Sequence, residues 1–306
     1  MAGDYGEIML DKQIAKLSKT LDKEYKKAYK EMSKKANDYF KQFMADDKIK
    51  RKAYLAGEIT KAEYDHWKLR HIQQTTAYNK LVKKLGDDLT KTDVIARQSI
   101  TGALPQTFIN MANYEACTIQ RITGDPFTVY NRDAVARLAR EKQLQLPPKM
   151  DIPKDQRWNV QRIHSAITQG ILQGDSMDKM ASRLLKVTNM NEAQAMRTAR
   201  TMHTAVANEG RMDAMRRAEA MGADIARQWL SAHDERTRDA HLELDGVVKG
   251  LDEPFENEIG EIMYPADPSA DPANVYNCRC ALRRVINGHF YDGATKEAYE
   301  KWVNGD

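Results

Sequence analysis

Residues 10–43 read LDKQIAKLSKTLDKEYKKAYKEMSKKANDYFKQF, and their periodicity decides the architecture of the chain. Apolar side chains recur at Leu10, Ile14, Leu17, Leu21, Tyr25, Ala28, Met32, Ala36, Tyr39 and Phe43, with a mean step of about 3.67 residues. That period predicts one continuous helix with a straight or slightly right-handed apolar seam, not a left-handed heptad coil. Lysines fill the opposite face. A stripe of this length must pack on later helices or on another subunit.

Working outward, Thr60 and Glu63 form a capping-box pattern after the Gly57-Glu58 turn. They predict a second helix running to about Lys84, where Gly86-Asp87-Asp88 should break it. A third helix is expected over Thr92–Met111, interrupted near Pro105. Pro147, Pro148 and Pro153 make Gln143–Pro153 the best linker. Beyond it, Asp155–Leu172 reads as a helix ending at Gly174. Ser176 caps a helix over Met177–Val187, and Asn191 starts another through Met221, closed by Gly222.

At Ile225 the texture changes. Ile225–Leu230 reads as a strand, and Pro254, Pro265, Pro268 and Pro272 exclude long helices after it. Short strands are expected at Val247–Val248, Ile262–Tyr264 and Ala281–Val285. The chain is therefore expected to be mainly α with a small C-terminal α+β unit. Its expected divisions are a basic helical region over residues 1–150, a second helical part over 151–224, and a compact turn-rich end over 225–306.

The 306 residues carry a formal net charge of +4, which hides a gradient. Residues 1–90 hold 20 Lys and Arg against 14 Asp and Glu, whereas residues 234–306 hold 8 against 16. A basic body joined to an acidic end points to two functional parts. No run of 18 apolar residues exists, so no membrane anchor is expected. The opening MAGDYGEIML lacks the layout of a secretory signal. Three cysteines exclude a disulfide scaffold and fit a reducing compartment.

The most distinctive text lies in residues 233–285. It begins His233-Asp234-Glu235-Arg236-Thr237-Arg238-Asp239-Ala240-His241-Leu242-Glu243-Leu244-Asp245-Gly246. Phe255, then Tyr264-Pro265-Ala266-Asp267-Pro268, and finally Asn277-Cys278-Arg279-Cys280 follow. In that order, these elements resemble the Mu F-like phage head morphogenesis family. Gly170-Ile171-Leu172-Gln173-Gly174-Asp175-Ser176, Ala199-Arg200-Thr201 and Asn208-Glu209-Gly210 extend the resemblance upstream, to cover about residues 155–286.

The resemblance implies a minor head protein inside the virion capsid at the portal vertex, and in the host cytoplasm during assembly. The implied partners are the portal protein, with several copies per portal, and the major capsid or scaffold protein. It also implies, for some members, contact with DNA and ejection with the genome. The basic body fits weak, electrostatic binding to DNA.

Cys278 and Cys280, with His241 and His233 upstream, offer the N and S ligands that zinc takes. A C-x-C pair in extended backbone points to opposite faces, so both sulfurs reach one metal only if Arg279 sits in a turn. The alternatives are a small packed core, with His241 bonded to Asp245 or a carbonyl, and a disulfide from one of the pair to Cys117. For the charged residues a structural reading is favoured. Asp234 caps a turn, and Arg236 or Arg238 clamps Asp239, Asp245, Asp267 or Asp271. Gly246 takes a positive-φ turn, and Asn277 fixes the turn before Cys278. Thr237 and Arg279 complete the motif.

Glu256-Asn257-Glu258 raises an ADP-ribosyltransferase-like reading, but the Ser-Thr-Ser strand of such enzymes is missing. No Walker A, dinucleotide, nucleophile-elbow or H-E-x-x-H motif occurs either. No catalytic residue is therefore expected.

Overall fold

The periodic N-terminal sequence forms a single helix. In the computed structural model, which describes residues 4–131 and 156–305, α1 runs unbroken from Tyr5 to Leu55. Leu10, Leu17, Leu21, Tyr25, Ala28, Met32, Ala36 and Phe43 of the stripe are buried. Near its end the stripe shifts by one residue, since Phe40 is buried and Tyr39 only half-buried.

Helix α2 spans Lys61–Gln74 and starts with the expected capping box. The Glu63 N–H donates to the Thr60 hydroxyl, while the Glu63 carboxylate accepts from the Thr60 N–H. The break after it falls at Thr75, where the backbone is extended, and not at Gly86-Asp87-Asp88. Helix α3 then runs from Thr76 to Thr123, through Gly86 and through Pro105. Gly86 serves close packing: a Cβ there would lie 2.4 Å from Val160 Cγ2 and 3.0 Å from its Cα. A glycine demanded by a neighbouring helix looks, in sequence, like a helix breaker.

Helix α4 covers Gln156–Gln173, and Gly174 follows in the left-handed region. Helix α5 runs without a break from Met177 to Ala220, so the expected gap between Val187 and Asn191 is absent. Asn191 is a buried interior residue, not a cap. A Schellman arrangement ends the helix, with the Ala223 N–H donating to Ala218 O and Gly222 at φ +98°. The proline-rich stretch 143–153 lies outside the described residues.

Six short strands follow the long helices. They are β1 (Ile225–Leu230), β2 (Val248–Gly250), β3 (Phe255–Asn257), β4 (Gly260–Ile262), β5 (Ala281–Ile286) and β6 (His289–Phe290). Short helices α6 (Asp239–Leu242) and α7 (Pro272–Val275) sit among them, and α8 (Lys296–Asn304) closes the chain. The main sheet has the order β2-β1-β5-β6, with antiparallel pairing throughout, and places Trp229 opposite Leu282 and Arg227 opposite Arg284. Strands β3 and β4 form a separate hairpin. Strands β3 and β6 and helices α6, α7 and α8 are not among the expected elements; the two strands are too short to show a period. The protein is thus mainly α with a small α+β end.

The described residues divide into two compact units. One draws on residues 4–18, 100–131 and 196–305, the other on 19–99 and 156–195. In the second, Asp93 is buried and accepts from Tyr25 Oη (2.7 Å), Asn159 Nδ2 (2.9 Å) and Asn191 Nδ2 (2.9 Å). One carboxylate so ties α3 to α1, α4 and α5, which sets helix register in a way apolar packing does not. In the first, Trp229, Phe255, Ile262, Leu282 and Ile286 pack with Met212, Met215 and Ala218 of α5.

Candidate functional site

The motif between β1 and β5 is organised by its short polar side chains. Asp234 Oδ1 accepts from the Arg236 N–H (3.0 Å) and the Thr237 hydroxyl (3.1 Å), which closes a turn. The cation that clamps this carboxylate is Arg279, through both guanidinium nitrogens. This corrects the expected role of Arg236 and Arg238. The Arg236 side chain is exposed, and Arg238 donates to the carbonyl of Tyr276. Of the other carboxylates, Asp245, Asp267 and Asp271 already hold backbone N–H groups, which reach them at lower entropic cost than a long arginine does. Asp245 accepts from the Ser231 N–H (2.8 Å), Asp267 from Met263 and Ser269, and Asp271 caps α7 through the Ala273 N–H.

Gly246 takes the expected positive φ, +81°, and its N–H returns to Trp229 O. Asn277 is also left-handed, at φ +60°, but its contribution is through the main chain: its N–H donates to Thr201 Oγ1 at 2.9 Å. That contact anchors the N-C-R-C turn to α5.

Cys278-Arg279-Cys280 is irregular backbone, neither strand nor the expected turn at Arg279, and the turn lies just before it at Tyr276-Asn277. His241 is held in α6, its carbonyl accepting from Ser231 Oγ. Its Nδ1 lies 3.7 Å from Cys278 Sγ and 3.6 Å from Cys280 Sγ. All three side chains are buried, and their ligand atoms lie within 4.8 Å of one another. The hydrogen bond between the thiols is the main influence on both: it holds Cys280 below the usual thiol range, helped by His241, and pushes Cys278 above it. Burial adds to the rise at Cys278.

His233 does not join this group. It is exposed, and its Nε2 lies 3.0 Å from Asp245 Oδ2. The alternative bond from His241 to Asp245 is thereby replaced by one from His233. Cys117 is a free, buried thiol in a separate cluster with Tyr114, Ala294 and Tyr299.

Three groups escaped the sequence reading as site residues. The buried amide of Asn208 donates to Pro265 O and Cys280 O and accepts from the Leu282 N–H. Arg227 donates to Met263 O and Glu253 O. Arg284 pairs with buried Glu115 at 3.2 Å. Asn208-Glu209-Gly210 was legible only as part of the resemblance, and nothing in the local sequence marks an arginine in a strand as buried.

In Glu256-Asn257-Glu258 the two acids are exposed. Asn257 is the structural member, with its Oδ1 accepting from the Ile259 N–H at 2.9 Å and its Nδ2 reaching Ala240 O at 3.2 Å.

Comparison with known proteins agrees with this layout. A family profile described as Phage Mu protein F like protein matches residues 161–283, a span that holds His241, Cys278 and Cys280. Minor head protein GP7 of Bacillus phage SPP1 is 29% identical over 283 residues, which are 91% of this chain and 85% of that protein. An NAD(+)--arginine ADP-ribosyltransferase, EFV, of Enterococcus faecalis is 29% identical over 128 residues, but the match spans only 26% of that protein. YqbB of Bacillus subtilis is 23% identical over 142 residues, 46% of its length. No solved structure matches the chain significantly. Residues 161–283 thus resemble a Mu F-like domain, and the profile match covers that part of the chain.

Proposed function

We propose that this chain is a structural minor head protein of a tailed phage, housed inside the capsid at the portal vertex. There it supports head morphogenesis and the packaging or delivery of DNA. The observation that carries this reading is the match to minor head protein GP7, which runs over nearly the whole of both chains and so includes the helical N-terminal part as well as the motif-bearing end. The site geometry supports a structural role. Asp234, Asp245, Asp267 and Asp271 each hold backbone or side-chain donors within the motif. Among the described residues, no helix is long and apolar enough to cross a membrane. The ADP-ribosyltransferase reading loses support because the matched segment is about a quarter of that enzyme and Asn257 has an internal role.

The partners of this reading are the portal protein and the major capsid or scaffold protein, with several copies at each portal. Co-expression with the portal protein of the same genome tests it. Co-purification, together with defective heads when this chain is deleted, is the expected result. No co-purification and normal heads without it would overturn the reading.

DNA contact is a second part of the proposal. Lys19, Lys23, Lys27, Lys30 and Lys34 are exposed along α1. Lysines that neutralise phosphates release counterions, so binding should weaken steeply between low and physiological salt. A gel shift indifferent to salt would contradict that mechanism.

A further inference from the structure

The contacts of His241 Nδ1 with the two sulfurs have metal-like dimensions. Zinc bonds of about 2.3 Å to sulfur and about 2.0–2.1 Å to nitrogen, at the tetrahedral angle, give S···N edges of about 3.6 Å. The observed edges are 3.7 Å and 3.6 Å. The scaffold holds each ligand independently. Thr201 and the left-handed Asn277 place Cys278, the Asn208 amide holds the Cys280 carbonyl, and Ser231 holds the backbone of His241. His241 Nε2 has no hydrogen-bond partner and the ring packs edge-to-face on Trp229, which leaves the sulfur side as the polar face of the imidazole.

We propose that Cys278 Sγ, Cys280 Sγ and His241 Nδ1 bind one zinc ion, with a water completing the tetrahedron. Two thiolates balance the ion's double charge, and their protons leave to solvent on binding. The ligands line a small cavity, about the size of one water, together with Arg236, Thr237, Arg238, Asn277 and Arg279. The arginines there favour thiolates and disfavour a hard cation held by carboxylates. Asp234 and Asp245 are engaged with Arg279 and with Ser231 and His233, so the fourth position falls to solvent. The ion would clamp α6 to the turn before β5, a structural function.

Metal analysis of the full-length protein, expressed with added zinc and purified without chelator, tests the site. About one equivalent is expected in the wild type and in His233→Ala, and under about a tenth in Cys278→Ser, Cys280→Ser and His241→Ala. Because the ligand variants can fail to fold, the wild type also carries a second readout. Reconstitution with cobalt under reducing conditions should give thiolate-to-cobalt charge transfer and intense tetrahedral bands. Wild-type protein with under about a tenth of an equivalent of zinc and no cobalt bands would overturn the site. A Cys278–Cys280 disulfide in freshly purified protein would also overturn it. The head-protein reading stands or falls separately, on the portal experiment.

Discussion

The Asn208 side chain accepts the Leu282 N–H at 3.1 Å and so joins the middle of α5 to strand β5. The same amide also donates to Pro265 O and Cys280 O and accepts from Arg211 at 2.9 Å. One buried carboxamide thus satisfies several main-chain groups around the motif.

Replacing it tests that arrangement. Asn208→Leu leaves buried donors and acceptors unpaired, at about 1–3 kcal/mol for each. A loss of about 3 kcal/mol or more in urea unfolding is expected. Asn208→Asp should also destabilise, because a carboxylate cannot donate to the two carbonyls. A variant within about 0.5 kcal/mol of wild type would refute the role.

The two glycines of α3 should respond in opposite ways to alanine. At Gly86 a Cβ would collide with Val160, whereas at Gly102 nothing lies within 4 Å. Gly102→Ala should stabilise by up to about 1 kcal/mol through helix propensity. Gly86→Ala should destabilise by about 1–3 kcal/mol through overpacking. Thermal melts of the two variants would show the difference in sign.

Arg284 and Glu115 form a buried ion pair 3.2 Å apart, and burial pushes the Glu115 carboxyl above its usual range. Arg284→Met leaves Glu115 without this partner and should cost about 3–5 kcal/mol. The double variant Arg284→Met, Glu115→Leu should recover part of that loss. A double-mutant cycle in urea measures the coupling, and additive losses would contradict it.

His203 is buried, with Nδ1 2.7 Å from Thr107 Oγ1, and burial lowers its pKa to about 4. In the unfolded chain a histidine titrates near 6.5. The unfolded state therefore binds the proton first. Stability from this residue is whole above pH 6.5 and falls as the pH drops towards 4, by about 3 kcal/mol in all. Unfolding free energies measured across that window should fall more steeply in wild type than in His203→Gln. Equal slopes would count against the assignment.

The long helix and the boundaries of the first strand were readable from residues alone. A period of 3.67 over residues 10–43 admits only a helix, and Gly222 after Met221 is a local terminator. Local signals also placed the capping box at Thr60, the Asp234 turn and the positive φ of Gly246, because each depends on neighbours within a few residues. Helix interruptions were not readable. Gly86, Pro105 and Asn191 look like breaks in sequence, yet each lies inside a helix once tertiary packing or a buried network stabilises it.

For the site, the sequence by itself determined the ligand types and the resemblance that groups them. Only the tertiary structure decided which members meet. Cys278 and Cys280 converge on His241 because a left-handed Asn277, tied to Thr201 some 76 residues earlier, bends the chain out of extended form. His233 lies eight residues before His241 but turns to Asp245. Such partnerships depend on contacts between distant segments, and neither spacing nor composition encodes a distance between them.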